Sequence, residues 1–191
     1  MPETPSWTWL EGHPALDFVN TVIRRGWTEL ELVHTRADLE SWLDAAALPA
    51  PRPARVTDAD VAAFLAVRDP ALRLLRAAAG HGNWSTDDAE QINAAIAAVP
   101  VIEAIGPAPG TTESRPLGSP TPFALLLSRL AAEVRDALAS PYLALCDAPG
   151  CGQLFYRRRP NQAWCGPACG TRARVDRHQR KHPSPHEGAN A

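Results

Sequence analysis

Apolar residues recur along this chain at intervals of three and four, and the recurrence is interrupted at prolines, glycines and short polar clusters. A mainly helical fold is predicted. Pro14 with Leu16, Val19, Asn20 and Ile23 reads as a short first helix, and Leu30 to Val33 alternate briefly in the manner of a strand. Thr35 then opens a helix whose Leu39, Trp42, Leu43 and Ala46 fall at i, i+3, i+4 and i+7. Residues 49–55 form a linker rich in Pro and Arg. Thr57 with Asp60 starts the next helix, through Val61, Phe64 and Leu65, and Pro70 is expected to kink or split it before Leu72, Leu75 and Ala79 lead to Gly80. Ser85 and Asp88 repeat the start signal ahead of Ile92, Ala95, Ile96 and Val99.

The second half is punctuated differently. Val101 to Ile105 read as a strand, and residues 106–120, with seven Gly or Pro, read as an irregular loop or hairpin tip. Thr121 and Pro122 begin the most regular helix, with Phe123, Leu126, Leu127, Leu130, Val134 and Leu138 on one face, and Ser140 with Pro141 ends it. These stripes are core faces and not cofactor boxes. Asp17 and Asn20, three apart on the first helix, are expected to cap or brace a local turn, because short polar side chains bond readily to nearby backbone.

Composition adds little until charge is mapped along the chain. Of 191 residues 45% are hydrophobic and 21% charged, ordinary for a water-soluble globule, and no apolar run reaches the 18 residues of a membrane span. The net charge is −2, but residues 146–182 hold eight Arg or Lys against Asp147 and Asp176, a formal +6 that leaves −8 for the remainder. A basic module on an acidic body points to a polyanionic partner for the module alone.

All four cysteines lie in that basic stretch, as Cys146-x4-Cys151-x13-Cys165-x3-Cys169. Two close pairs joined by a medium spacer suit a tetrahedral Zn2+, each pair giving two thiolates from one turn. Two disulfides are the competing reading. They require an exported chain, and the first 14 residues carry Glu3, Glu11 and early prolines in place of an apolar secretory segment, so a cytoplasmic location is expected. A redox pair would place two residues between its cysteines, and neither spacing here does. Four sulfur ligands leave no open position for water, so the zinc is expected to be structural. Counted with its thiolates, the ion reduces the module to about +4.

Leu154, Phe155 and Tyr156 are strand-prone and are followed by the cationic turn Arg157, Arg158, Arg159, Pro160, Asn161. The second pair stands at the start of the Gly- and Pro-free run 171–182, where a helix N-terminus favours thiolates. A zinc knuckle and a helix start clamping one ion make a treble-clef-like arrangement. The predicted architecture is thus a helical N-terminal domain with a small β-hairpin over 1–141, a zinc module over 142–182 and a disordered tail over 183–191. The body has its own apolar stripes and the module its own metal, so the two are expected to be separable.

Here the sequence resembles the bacterial CGNR zinc finger proteins, a family of stress-induced transcription regulators with an N-terminal domain called ABATE. The likeness is carried by Cys146-x4-Cys151-x3-Phe155, by Trp164-Cys165-x3-Cys169-Gly170-Thr171-Arg172 with the basic run after it, and by Ala15-Leu16-Asp17-Phe18-Val19-Asn20-Thr21. Two departures stand out: Thr171 replaces the Asn of the naming motif, and Tyr156-Arg-Arg-Arg-Pro-Asn-Gln replaces the family's acidic and Ser-Arg segment. The resemblance implies a sensory or dimerising body, hence a small-molecule ligand and a homodimer as further partners.

No catalytic constellation emerges: there is no phosphate-binding Gly loop, no Gly-x-Ser-x-Gly and no His-Glu-x-x-His, and His178 and His182 have no orienting partner in the sequence. A binder and not an enzyme is expected, with DNA on the 171–182 helix and the 157–159 turn. Arg157, Arg158, Arg159, Arg172, Arg174, Arg177, Arg180 and Lys181 are the candidate nucleic-acid contacts, chiefly to phosphates. Arg174, Arg177 and Lys181 share one helical face. The alternative function is a protein or RNA interaction module with a structural zinc and no DNA binding.

Overall fold

The structure, a computed structural model, describes residues 7, 9, 13–25 and 28–182. The tail expected to be disordered lies outside the described residues.

Twelve elements follow one another: α1 (Pro14–Val19), β1 (Val22–Arg25), β2 (Thr28–Glu31), α2 (Arg36–Ala45), α3 (Asp58–Ala78), α4 (Thr86–Ala97), β3 (Val101–Ile105), β4 (Thr112–Pro116), α5 (Pro122–Leu138), β5 (Leu143–Leu145), β6 (Leu154–Tyr156) and α6 (Pro167–Lys181). The strands form three antiparallel two-stranded sheets, β1 with β2, β3 with β4 and β5 with β6. The body therefore carries two hairpins where one was expected. Residues 106–120 do close a hairpin, with Ile105 opposite Thr112 and Val101 opposite Pro116.

Helix starts fall where the side chains direct them. Thr35 and Thr57 each accept from the backbone N–H three residues on, while Asp38 and Asp60 reach back to the cap, closing two reciprocal capping boxes. Ser85 caps α4 in the same way, but Asp88 turns instead to Arg73, whose Nε and Nη2 lie 2.9 and 2.6 Å from its two carboxylate oxygens. That guanidinium holds the Asp88 carboxyl below its ordinary range, against the opposing effect of burial.

Three expectations are corrected. The first helix stops at Val19, and Ile23 lies in β1, because Asn20 and Thr21 turn the chain; Thr21 Oγ1 donates to the Phe18 carbonyl at 2.9 Å. Helix α3 is not split at Pro70 but runs through it over 21 residues, since the turns on both sides bury Phe64, Ala71, Leu72, Leu74 and Leu75 in one core. The last helix begins at Pro167 and not at Thr171, because Pro at the first helical position is pre-set for helix and Gly170 is taken into the second turn.

The core gathers α1, α2, α3 and α5 around Phe18, Trp42 and Phe64, with Phe18 edge-on to Phe64 at 4.8 Å between ring centroids and Trp42 edge-on to Phe64 at 5.2 Å. Arg68 of α3 is buried inside this body at 1% exposure. It donates to Thr21 Oγ1 at 3.1 Å, to both carboxylate oxygens of Glu31 and to Asp69, tying α3 to the first hairpin. Leu143 of β5 and Leu154 of β6 belong to the same cluster, so one face of the last hairpin is laid on the body.

Candidate metal centre and nucleic-acid surface

Strands β5 and β6 pair Leu143 with Tyr156 and Leu145 with Leu154, and the first cysteine pair sits in the turn between them. The Cys146 N–H donates to the Gln153 carbonyl at 2.9 Å and the Cys151 N–H to that of Ala148 at 3.0 Å, folding the loop into a knuckle. Gly150 and Gly152, both at φ 68°, supply left-handed backbone that a side chain would strain. An added Cβ at Gly152 would meet Arg24 of the body at ordinary contact distance, 3.4 Å from Nε, so the backbone conformation and not space favours glycine there.

Cys165 precedes the extended Gly166 that caps α6, and Cys169 is the third residue of that helix. All four Sγ atoms lie within 4.8 Å of one another, the only cluster of three or more metal-ligating side chains among the described residues, and all four cysteines are unbridged. Cys151 and Cys165 Sγ are 3.7 Å apart and Cys165 and Cys169 Sγ 3.6 Å. Tetrahedral bonds of about 2.3 Å to one zinc place sulfurs about 3.8 Å apart, so donor set and spacing fit Zn2+. Two donors support the sulfurs from outside: the Cys165 N–H points at Cys146 Sγ at 3.3 Å, and Arg172 Nη2 at Cys169 Sγ at 3.0 Å.

Protonation explains why a cation belongs there. S–H donation from Cys151 and then Cys165 holds the Cys146 thiol down to about 2. The same contact, seen from the other side, pushes Cys151 up to about 12, and the contacts with Cys146 and Cys151 push Cys165 further still. One thiolate is favoured and the next ones are opposed. A coordinating divalent ion removes that conflict by deprotonating all its thiols.

The candidate cations are distributed unevenly around this centre. Arg172 is drawn back onto Cys169, whose hydrogen bond raises its pKa. Arg180 pairs with Asp176 one turn earlier, and Arg174 Nη2 donates to Thr171 Oγ1 at 3.1 Å. Arg157, Arg158, Arg159, Arg177 and Lys181 are exposed, the turn being braced by the Arg158 N–H, which donates to Gln162 Oε1 at 2.8 Å. Helix α6 buries Cys169, Gly170 and Ala173. At 100° per residue the opposite stripe is Thr171, Val175, His178 and His182, with Val175 half exposed and the two His rings 4.8 Å apart. Arg174 and Lys181 flank that stripe on one side, and Arg177 lies further round, toward the knuckle, beside Asp147 and Pro149.

Arg157, Arg158 and Arg174 line one cleft of about 640 Å3 together with Trp9, His13, Tyr156 and Trp164. Neither this gathering of rings nor the role of Asn20 was anticipated from the residues. A turn rich in Arg between Tyr156 and Trp164 was the available signal for the first. For Asn20 there was none: its Nδ2 donates to the Leu154 carbonyl at 2.9 Å and its Oδ1 accepts from the Leu154 N–H at 3.0 Å, across 134 positions. It therefore extends the β5–β6 hairpin from the body and does not brace its own turn.

Among the described residues no helix is long and apolar enough to cross a membrane. No curated protein matches the sequence. Two protein families do: residues 12–141 match ABATE, described as "Putative stress-induced transcription regulator", and residues 143–182 match the CGNR zinc finger. A helical body closed by a sulfur knuckle and a basic helix is the arrangement on which both matches fall, and the chain belongs to the ABATE family with a CGNR zinc finger at its C-terminal end.

Proposed function

We propose that the protein is a bacterial transcription regulator that binds duplex DNA through its zinc module, with one structural Zn2+ on Cys146, Cys151, Cys165 and Cys169 in a treble-clef-like arrangement. The observation that carries this reading is the division of α6 into stripes. Its outermost residues, Thr171, Val175 and His178, are short or uncharged and suit base edges in a major groove, where a methyl of Thr or Val meets a thymine methyl. Arg174 and Lys181 beside them, with Arg177 further round the helix and the Arg157–Arg159 turn, suit the phosphates that position a reading helix. The acidic body then serves as the sensory or dimerising part. On this reading the protein is a binder, and it acts in the cytoplasm.

Salt titration tests it. Neutralising three to five phosphates gives a slope of log affinity against log salt of roughly −3 to −5, at about −0.9 per contact. Arg174→Ala and Arg177→Ala should each flatten the slope by about one and weaken binding for every sequence, whereas Val175→Ala should change the preferred sequence and leave the slope alone. Absence of measurable duplex affinity at low salt, or equal competition by duplex RNA, would overturn the reading in favour of an interaction module.

A further inference from the structure

The cleft beside α6 lies where the module meets the start of the body, and its volume of about 640 Å3 is that of a small-ligand site. Its rings are fixed by their neighbours. His13 meets Tyr156 edge-on, at 87° with 4.6 Å between centroids, and the Trp164 indole lies along the α6 backbone at Gly170, where an added Cβ would be 3.5 Å from Cε3. Arg157, Arg158 and Arg174 supply positive charge, and no carboxylate occurs among the described residues that line the cleft.

Flat walls and a guanidinium rim select for one kind of ligand. A planar ring gains from stacking on tyrosine and indole faces, and a phosphate gains from guanidinium forks. A bare anion would leave the aromatic walls wet, and a neutral ring would leave the arginines unmatched. A base inside a duplex cannot enter unless it leaves the stack.

We propose that this cleft takes one nucleotide unit, with its base against Tyr156 and Trp164 and its phosphate on Arg157, Arg158 and Arg174. The proposal rests on, and deepens, the nucleic-acid reading of the module. The chemistry is common to a free nucleoside monophosphate and to an unpaired residue of a strand.

Calorimetric titration of the zinc-loaded full chain separates these sources. Deoxyadenosine monophosphate should bind saturably, and deoxyadenosine or inorganic phosphate should each bind about tenfold more weakly or worse. Arg174→Ala and Arg158→Ala, both on the surface, should each weaken the monophosphate about tenfold, and Tyr156→Leu should do so by removing a stacking face. A single-stranded pentanucleotide that binds more tightly than the monophosphate assigns the cleft to an unpaired residue of a strand; equal or weaker binding assigns it to the free nucleotide. The cleft proposal fails if neither ligand binds saturably at millimolar concentration, or if all three variants bind as the wild type does. Duplex titrations run alongside keep the two readings apart. A duplex salt slope retained without monophosphate binding overturns the cleft alone, and monophosphate binding without duplex affinity overturns the duplex reading alone.

Discussion

The body and the zinc module solve the same problem with different means. The body buries three interlocked aromatic rings and a continuous set of leucines, enough apolar surface to order five helices. The module has a much smaller cluster, Ala144, Ala148 and Phe155 beside the cysteine sulfurs, and its last helix has only one apolar residue buried besides Cys169, Ala173. A unit of about 40 residues gains little from its own burial, and what orders it is its packing on the body through Leu143 and Leu154 together with its four clustered thiols. The contrast teaches where each half is vulnerable: the body to lost volume, the module to lost ligands.

The most severe way to break the contrast is to remove the metal. Zinc in comparable small modules contributes about 10–16 kcal/mol of apparent binding energy. Cys151→Ser, or a strong chelator, should therefore unfold β5, β6 and α6 while the body helices persist. Circular dichroism should show a partial loss of helix, and metal analysis of the wild type should give about one zinc per chain; zinc well below that with reduced thiols overturns the assignment.

Next in size is damage to the body. Phe64→Ala empties the centre of the ring cluster and should cost about 3–5 kcal/mol. Denaturant titration should show the main transition moving to lower concentration, with zinc retained by the fraction that stays folded. Unchanged stability would show that the rings are not the body's keystone.

The joint between the two regions comes third. Asn20→Ala leaves the Leu154 N–H and carbonyl buried without partners, at about 1–3 kcal/mol for each group. Hydrogen exchange should accelerate in β5 and β6 ahead of α3 and α5. Asn20→Asp sharpens the point, because a carboxylate still accepts from the Leu154 N–H but cannot donate to its carbonyl and should rescue only part of the loss.

The smallest effect concerns acid. Asp88 has its carboxyl depressed by Arg73, so its contribution is present above the ordinary carboxylate range near pH 4 and is lost as pH falls through the lower folded value. Arg73 is half open to water but the Asp88 side chain is only 7% exposed, so Asp88→Asn should cost about 1–2 kcal/mol at neutral pH and should flatten the acid limb of the stability curve. A parallel acid limb in the variant would remove Asp88 from the account.

What could be read in advance follows a physical division. Caps and stripes are local: Thr35 with Asp38, Thr57 with Asp60 and the α5 face act within a turn or two, and their signals sit side by side in the sequence. The cysteine spacing is legible for the same reason, each pair being closed by one turn. Arg68 and Asn20 were opaque because their partners are distant, Glu31 and Leu154, and nothing near either residue hints at burial. Pro70 misled only as a possible break, because the local penalty of a proline is outweighed by packing on both sides of it. The cleft was hidden because its walls come from Trp9 and His13, from residues between Phe155 and Pro167 and from Gly170, Thr171 and Arg174, which meet only once the hairpin is laid on the body.

That laying down has a mechanical consequence. One amide side chain, donating and accepting at once, occupies the position of a third strand, and a slip of the hairpin by one residue would break both bonds together. Helix α6, which follows that hairpin, is thus pegged and not tethered. A tethered finger loses orientational freedom each time it lands on a target; here that freedom is already surrendered when the chain folds. A twist or shift of α1 would act on the hairpin directly through those two bonds.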